Sequence, residues 1–284
     1  MRIVLVSDTH LARRARAFGD NWALVRGFIA AERPDLVIHL GDISADGIGD
    51  PADLDEAATE FAGMGEIRFL PGNHDIGDNP LADGGQHGQP VAPDRLRRYR
   101  ALFGADRWSF AAAGWQLIGL NAQLFNTGTA EEAAQLDWLE RALAAGRGPL
   151  GVMLHKPLFR HGPGDTEAHV RYVPAEPRQR LLALLAARDL RFVASGHAHQ
   201  ARHIEVDGVQ HVWVPSTAFC IPEALQETIG EKRVGIVRLD LSAECHRFAG
   251  VTPPGLVRYN LLDHPQVYAP VAELRARLGA RAAL

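Results

Sequence analysis

Asp8 and His10 stand just past the apolar run RIVLV, and His197 and His199 just past RFVAS. Both pairs have i, i+2 spacing, which in an extended segment points two side chains to one side. Other apolar runs end in the same kind of residue: Asp42 in LGD, Asn73-His74-Asp75 in PGNHD, and His155 after LGVML. Asp8, His10, Asp42, Asn73, His155, His197 and His199 offer carboxylate, amide and imidazole donors and no thiolate. That mixture suits Mn, Fe, Co or Zn. Seven donors are too many for one ion that must leave room for a substrate. Two ions sharing a carboxylate would use them well. In two-metal hydrolysis, ions about 3.5–4 Å apart clamp the attacking and leaving oxygens of a phosphoryl group.

The elements that would position these residues alternate between strand and helix. Continuous apolar runs at 2–7, 35–42, 67–75, 150–155 and 191–195 read as buried strands. Helical spacing or capping signals fall at 21–32, 51–64, 94–104, 131–146 and 177–189. Asp20 is the expected cap of the first helix. Hairpins are expected over 108–121 and over 201–216, the latter turning at Asp207-Gly208, and one more strand over 233–242. In open α/β sheets ligands sit beyond the carboxyl ends of the strands. Five strand ends can therefore converge on one edge.

Composition narrows the class. Hydrophobic residues make up 46% and charged residues 23% of 284, an ordinary globular balance. Thirty Lys+Arg against 34 Asp+Glu give a net charge of -4, which argues against a dedicated nucleic-acid binder. Two cysteines imply no disulfide framework. The first apolar run is too short for a signal h-region, and no run reaches a membrane span. A cytoplasmic protein is the expectation.

The ordered set DTH, GD, GNHD, H and GHAH resembles the calcineurin-like metallophosphoesterase superfamily, over about residues 1–240. The GHxH ending, the length and the QLDWLERAL helix look most like its class III cyclic-nucleotide phosphodiesterase branch, which includes glycerophosphodiesterases. The resemblance implies an α/β fold of two packed mixed β-sheets flanked by helices. The catalytic domain would cover 1–250, with a tail over 251–284 packing on the domain or on a partner chain. It also implies two divalent or trivalent metal ions. Asp8, His10 and His199 would hold the first; Asn73, His155 and His197 the second; Asp42 would bridge them. A metal-bridging hydroxide would attack phosphorus in line. His74 would be no ligand but would stabilise the phosphoryl oxygen or protonate the leaving group. Many relatives carry HHPP where this chain has HKPL at 155–158, so Lys156 replaces a second histidine and could alter the local field.

The expected activity is hydrolysis of small phosphodiesters, of cyclic nucleotide or glycerophosphodiester type. Phosphomonoesterase, nucleotidase and nuclease chemistry would use the same metals. A silent scaffold is disfavoured because all seven ligand positions and His74 are filled. Specificity would lie in loops 11–20, 76–93, 157–176 and 216–231, with Arg160 and His161 as the expected polar contacts. Arg13, Arg14 and Arg16 read as a solvated loop, and Asn121 as a lesser candidate for the site. His39, His87, His203, His211, His246 and His264 read as satisfied or solvated polar residues. A homo-oligomer is compatible with the sequence; a membrane partner is not expected.

Overall fold

The alternating residues of each strand divide the molecule into layers. The computed structural model describes residues 1–282. One sheet contains β1 (Arg2–Val6), β2 (Leu36–His39), β3 (Ile67–Phe69), β11 (Ile236–Leu241) and β12 (His246–Val251), ordered β12-β11-β1-β2-β3. The other contains β4 (Trp108–Ala112), β5 (Trp115–Leu120), β6 (Leu150–Leu154), β7 (Leu190–Ser195), β8 (Arg202–Val206) and β9 (Val209–Trp213), ordered β4-β5-β6-β7-β9-β8. Both sheets are mixed. β1, β2 and β3 run parallel, as do β5, β6, β7 and β9, while the remaining neighbours in each sheet are antiparallel.

Ile3 and Leu5 of β1 face the second sheet and join Leu117, Met153, Phe192 and Val237 in the core between the sheets. Val4 and Val6, offset by one residue, pack outward against Trp22, Val25 and Ile29 of α1 (Arg16–Glu32), with Ala57 of α2 (Pro51–Glu60) and Leu96 of α4 (Pro93–Phe103). The outer face of the second sheet covers Leu136, Leu139 and Leu143 of α5 (Ala130–Ala145) and Leu181 and Leu185 of α6 (Ala175–Leu185). Each such side chain, fully buried, contributes about 1.5–3 kcal/mol. The expected pair of mixed sheets flanked by helices is the observed architecture.

A helix start and an added strand differ from the sequence reading. Helix α1 begins at Arg16, so Asp20 lies inside it and caps nothing. Burial decides this: Ala15 and Phe18 pack against Phe219 and Val267, which draws the extra turn into the helix. Strand β12 was not expected, because an edge strand with half-exposed HRFAGV carries little apolar alternation.

After β12 the chain returns to the metal-type residues. β13 (Tyr259–Asn260) pairs parallel with β10 (Phe219–Cys220). The Arg14 guanidinium, ion-paired with Asp53, donates to the Val267 carbonyl at 3.1 Å. Helix α7 (Ala269–Ala282) follows.

Candidate metal centre

β1, β2, β3, β6 and β7 end at Val6, His39, Phe69, Leu154 and Ser195, just ahead of the donor residues. The first three belong to one sheet and the last two to the other. The site therefore straddles the seam between them. The connecting loops are stitched together by Asp8 N–H to Gly41 O (3.0 Å), His10 N–H to Asp42 O (3.1 Å) and Gly196 N–H to His155 O (2.9 Å).

The i, i+2 pairs are not strand residues. Asp8, His10, Asp42, His197 and His199 all have positive φ, between 46° and 61°. That left-handed conformation costs a non-glycine residue about 1–3 kcal/mol and persists only where surroundings enforce it. Alternation along a strand therefore does not aim these side chains; consecutive tight turns do. Gly72 permits the close approach: a Cβ there would sit 2.1 Å from Asp42 Oδ1 and 2.2 Å from its N. Asp75, within the GNHD motif, holds the β2 and β3 loops together. Its carboxylate accepts from the N–H of Ile43, Ser44 and Gly72 and from Ser44 Oγ.

Three groups of donors result: Asp8 with His10 and His199, His10 with Asp42 and His74, and Asp42 with His155 and His197. Within each group the donor atoms lie within 4.8 Å of one another. The two imidazoles of GHAH thus go to different groups. His199 Nε2 is 3.2 Å from His10 Nε2 and 3.3 Å from Asp8 Oδ1. His155 Nε2 is 3.2 Å from Asp42 Oδ2 and 3.1 Å from His197 Nδ1. Outer ring nitrogens are already committed: His155 Nδ1 to Leu40 O (2.8 Å), His199 Nδ1 to Phe219 O (2.9 Å) and His74 Nδ1 to Ala45 O (2.6 Å). A carbonyl only accepts, so each of these rings carries a proton on the outer nitrogen, and Nε2 is the atom turned inward. Asp8 Oδ1 and Asn73 Oδ1 are buried with no hydrogen-bond partner among the described residues. Orphaned oxygens beside inward-facing imidazoles fit a metal pair, and their hard-to-borderline donors fit Mn, Fe, Zn or Co.

The electrostatics prepare the donors. Burial alone would raise the Asp42 carboxyl, but His155, His74 and His10 hold it well below the usual range. Asp8 is also lowered: burial opposes ionisation, and the nearby His199 and His155 outweigh it. Burial pushes His10 well below its ordinary value, assisted by His74. Burial and the neighbouring His155 and Lys156 do the same to His197. His155 goes the other way: burial lowers it, but the Asp42 carboxylate raises it to about 9.

The donors open into a cavity of about 440 Å³. Asp42, Asn73, His74, His197 and His199 line its floor, and Arg171 and the exposed His87 stand at its side. Phe219, Ile221, Leu261, Val271 and Leu274 make a largely apolar wall. Tyr268 completes it, with its hydroxyl 2.8 Å from His10 Nδ1 and its ring 5.5 Å from that of His74. Burial keeps that hydroxyl protonated by raising it well above the ordinary phenol value.

Other residues singled out from the sequence lie elsewhere. Arg160 pairs with Glu167 and Glu227, and exposed His161 gives its N–H to Asp165; neither lines the cavity. Arg171, from the same loop, does. Asn121 is bonded to Asp106, Gln123 and Gln135, away from the site. His39 is a satisfied core residue, bonded to Thr9 Oγ1 and the Gly41 N–H. Lys156 is buried against Asp78 Oδ1 (2.5 Å) and Asn79 Oδ1 (2.6 Å). Tyr268 and Arg171 carried no sequence signal, since only tertiary packing brings them here; Asp75 was visible in GNHD.

The model of the calcineurin-like phosphoesterase family matches residues 1–201. The chain belongs to that family. A probable cyclic nucleotide phosphodiesterase from Synechococcus sp. is 27% identical over 209 residues, covering 71% of this chain and 74% of the relative. Among solved structures, a dimetal phosphatase from Danio rerio superposes with a TM-score of 0.62 at 15% identity, over 88% of this chain and 95% of that one. GAP50, described as the anchor in the inner membrane complex of Plasmodium, gives 0.62 at 14% identity, over 95% and 94%. At such identities the likeness is one of fold, and a phosphatase and an anchor share it. The family and the His/Asp groups are together consistent with a dimetal site. No described helix of this phosphoesterase is long and apolar enough to cross a membrane.

Proposed function

We propose that this chain is a two-metal phosphodiesterase acting on small diesters. The observation that carries the reading is the chain of donor groups that share His10 and Asp42 on the floor of one cavity. Asp8, His10 and His199 would hold one ion, Asn73, His155 and His197 the other, with Asp42 common to both. Paired metals polarise the phosphoryl group and lower the pKa of water between them. His74 contributes Nε2: its Nδ1 proton is committed to Ala45 O, so Nε2 is the atom that exchanges a proton with the leaving oxygen or faces the phosphoryl charge.

The name of the Synechococcus relative supports diester chemistry. So does the wall of Phe219, Ile221, Leu261, Val271 and Leu274, which suits an apolar second ester group. A polyol buried there would leave hydroxyls unpaired, at about 1–3 kcal/mol each. Arg171 favours a second reading, a monoesterase, because its charge could meet the additional charge of a monoester.

The test compares kcat/KM for bis(nitrophenyl) phosphate and nitrophenyl phosphate on Mn(II)-reconstituted protein at one pH. The expected result is a preference for the diester. A clear preference for the monoester would replace the first reading by the second.

A further inference from the structure

We propose that Tyr268, delivered by the C-terminal segment, donates a hydrogen bond from its hydroxyl to a non-bridging phosphoryl oxygen of the substrate. The inference rests on the phosphoester reading and extends it to a residue outside the span matched by the family.

The argument is one of proton direction. His10 Nε2 is the nitrogen turned toward the other donors, at 3.2 Å from His199 Nε2, 3.9 Å from Asp42 Oδ2 and 4.0 Å from Asp8 Oδ1. A metal ligand needs its lone pair there, so the ring proton belongs on Nδ1. Nδ1 lies 2.8 Å from the Tyr268 hydroxyl and donates to it. The tyrosine oxygen is then an acceptor, and its own proton remains unspent. Tyr268 makes no other side-chain hydrogen bond among the described residues. The ring lines the cavity within 5.5 Å of His74 and 6.0 Å of His10. The unspent proton is therefore available to an acceptor in that space, and the substrate's most electron-rich acceptors are phosphoryl oxygens.

The segment is anchored well enough to hold the hydroxyl there. β13 pairs with β10, the Val267 carbonyl accepts from Arg14, and Tyr259, Leu261, Val267 and Tyr268 share a cluster with Phe18 and Phe219. Fixed donors aimed at developing charge contribute most where water is excluded.

The experiment is Tyr268→Phe in the full chain, which keeps the ring and removes the hydroxyl. Metal-loaded wild type and variant are compared for bound metal, thermal midpoint, kcat on bis(nitrophenyl) phosphate, and affinity for inorganic phosphate by calorimetry. The expected result is two metals retained, an unchanged midpoint, and about tenfold losses in kcat and phosphate affinity. Unchanged kcat and phosphate affinity in the folded variant would overturn the proposal. So would a loss confined to metal affinity, which would reduce Tyr268 to a support for His10. A measurement on the unaltered chain guards against misfolding of the variant. With tyrosine labelled at Cζ, the Tyr268 resonance should move when inorganic phosphate is added; an unmoved resonance under saturating phosphate overturns the proposal. Wild type that neither hydrolyses esters nor binds phosphate would instead sink the phosphoester reading itself.

Discussion

His10 and His199 face each other through their Nε2 atoms at 3.2 Å, while their Nδ1 atoms are engaged by the Tyr268 hydroxyl and the Phe219 carbonyl. With both rings neutral, two lone pairs meet. Only a shared proton or a cation relieves that contact. Asp42 lies 3.9 Å from His10 and 3.2 Å from His155, so one carboxylate lies between the two halves of the site. Elemental analysis of reconstituted protein should give close to two metal equivalents. Asp42→Ala should lower both occupancies, and Asp8→Ala mainly one. Two tightly held metals in Asp42→Ala would remove the bridge from the scheme.

The role proposed for His74 is separable from those of the proposed ligands. It belongs to a donor group with His10 and Asp42, but its N–H to Asp42 Oδ1 (2.9 Å) and its Nδ1 to Ala45 O orient the ring independently of any ion. His74→Ala should keep both metals and lose about 10²–10⁴ in kcat. If Nε2 protonates the leaving oxygen, the loss should shrink for nitrophenol esters relative to alkyl esters. An equal loss for both assigns His74 to phosphoryl charge instead. Loss of a metal equivalent would make it a ligand.

The pH dependence of metal binding should carry the signature of His155. Its folded value is about 9, against 6.5 for an ordinary histidine, because Asp42 outweighs the burial that lowers it. In the metal-free chain the His155 proton stabilises the fold fully below pH 6.5, and that stabilisation is lost as pH rises through 9. A metal must displace this proton. Metal affinity should therefore climb between pH 6.5 and 9, with proton release visible in buffers of different ionisation enthalpy. Affinity that is flat across that window, with no proton released, contradicts the assignment.

What the sequence revealed, and what it concealed, follows from range. Runs such as RIVLV and LGVML declare buried strands because each residue needs an apolar partner on both faces. The donor residues at their ends were legible for the same reason: a polar residue ending a buried run has nowhere to go but the sheet edge. The mechanism of convergence was not legible. His197 and His199 have positive φ, and the His197 N–H donates to the Asp8 carboxylate (3.0 Å), 189 residues away in sequence. Tyr268 was hidden likewise, because its partner His10 is 258 positions distant. Arg160 and Arg171 look alike in one loop sequence; only packing sends Arg171 inward and leaves Arg160 to Glu167 and Glu227.

Lys156 tests the balance of the interior beside the site. Its side chain and that of Asp78 are 2% and 7% exposed, and Asn79 Oδ1 supplies a further acceptor. Burial lowers the lysine, and Asp78 opposes that shift. Removing one member strands the other charge. Lys156→Met should cost about 3–5 kcal/mol in urea unfolding, and Lys156→Met with Asp78→Leu should regain most of it. Additive losses in the double variant would mean that the pair is not coupled.

Arg171 decides how the cavity treats charge. Its guanidinium has no carboxylate within ion-pair distance among the described residues; Nη2 donates only to the Leu225 carbonyl, at 3.3 Å. Its charge helps keep His197 neutral, so its field reaches the site. A monoester carries nearly two negative charges at neutral pH and a diester one. If Arg171 meets the additional charge, Arg171→Gln should lower kcat/KM for nitrophenyl phosphate by about 10–100-fold, the range for a charged hydrogen bond. The loss for bis(nitrophenyl) phosphate should be several-fold smaller, so the variant becomes the more selective diesterase. The apolar wall, untouched by the substitution, would continue to hold the second nitrophenyl group. Equal losses on both esters would show that Arg171 reads only the charge they share, and the wall alone would then carry discrimination.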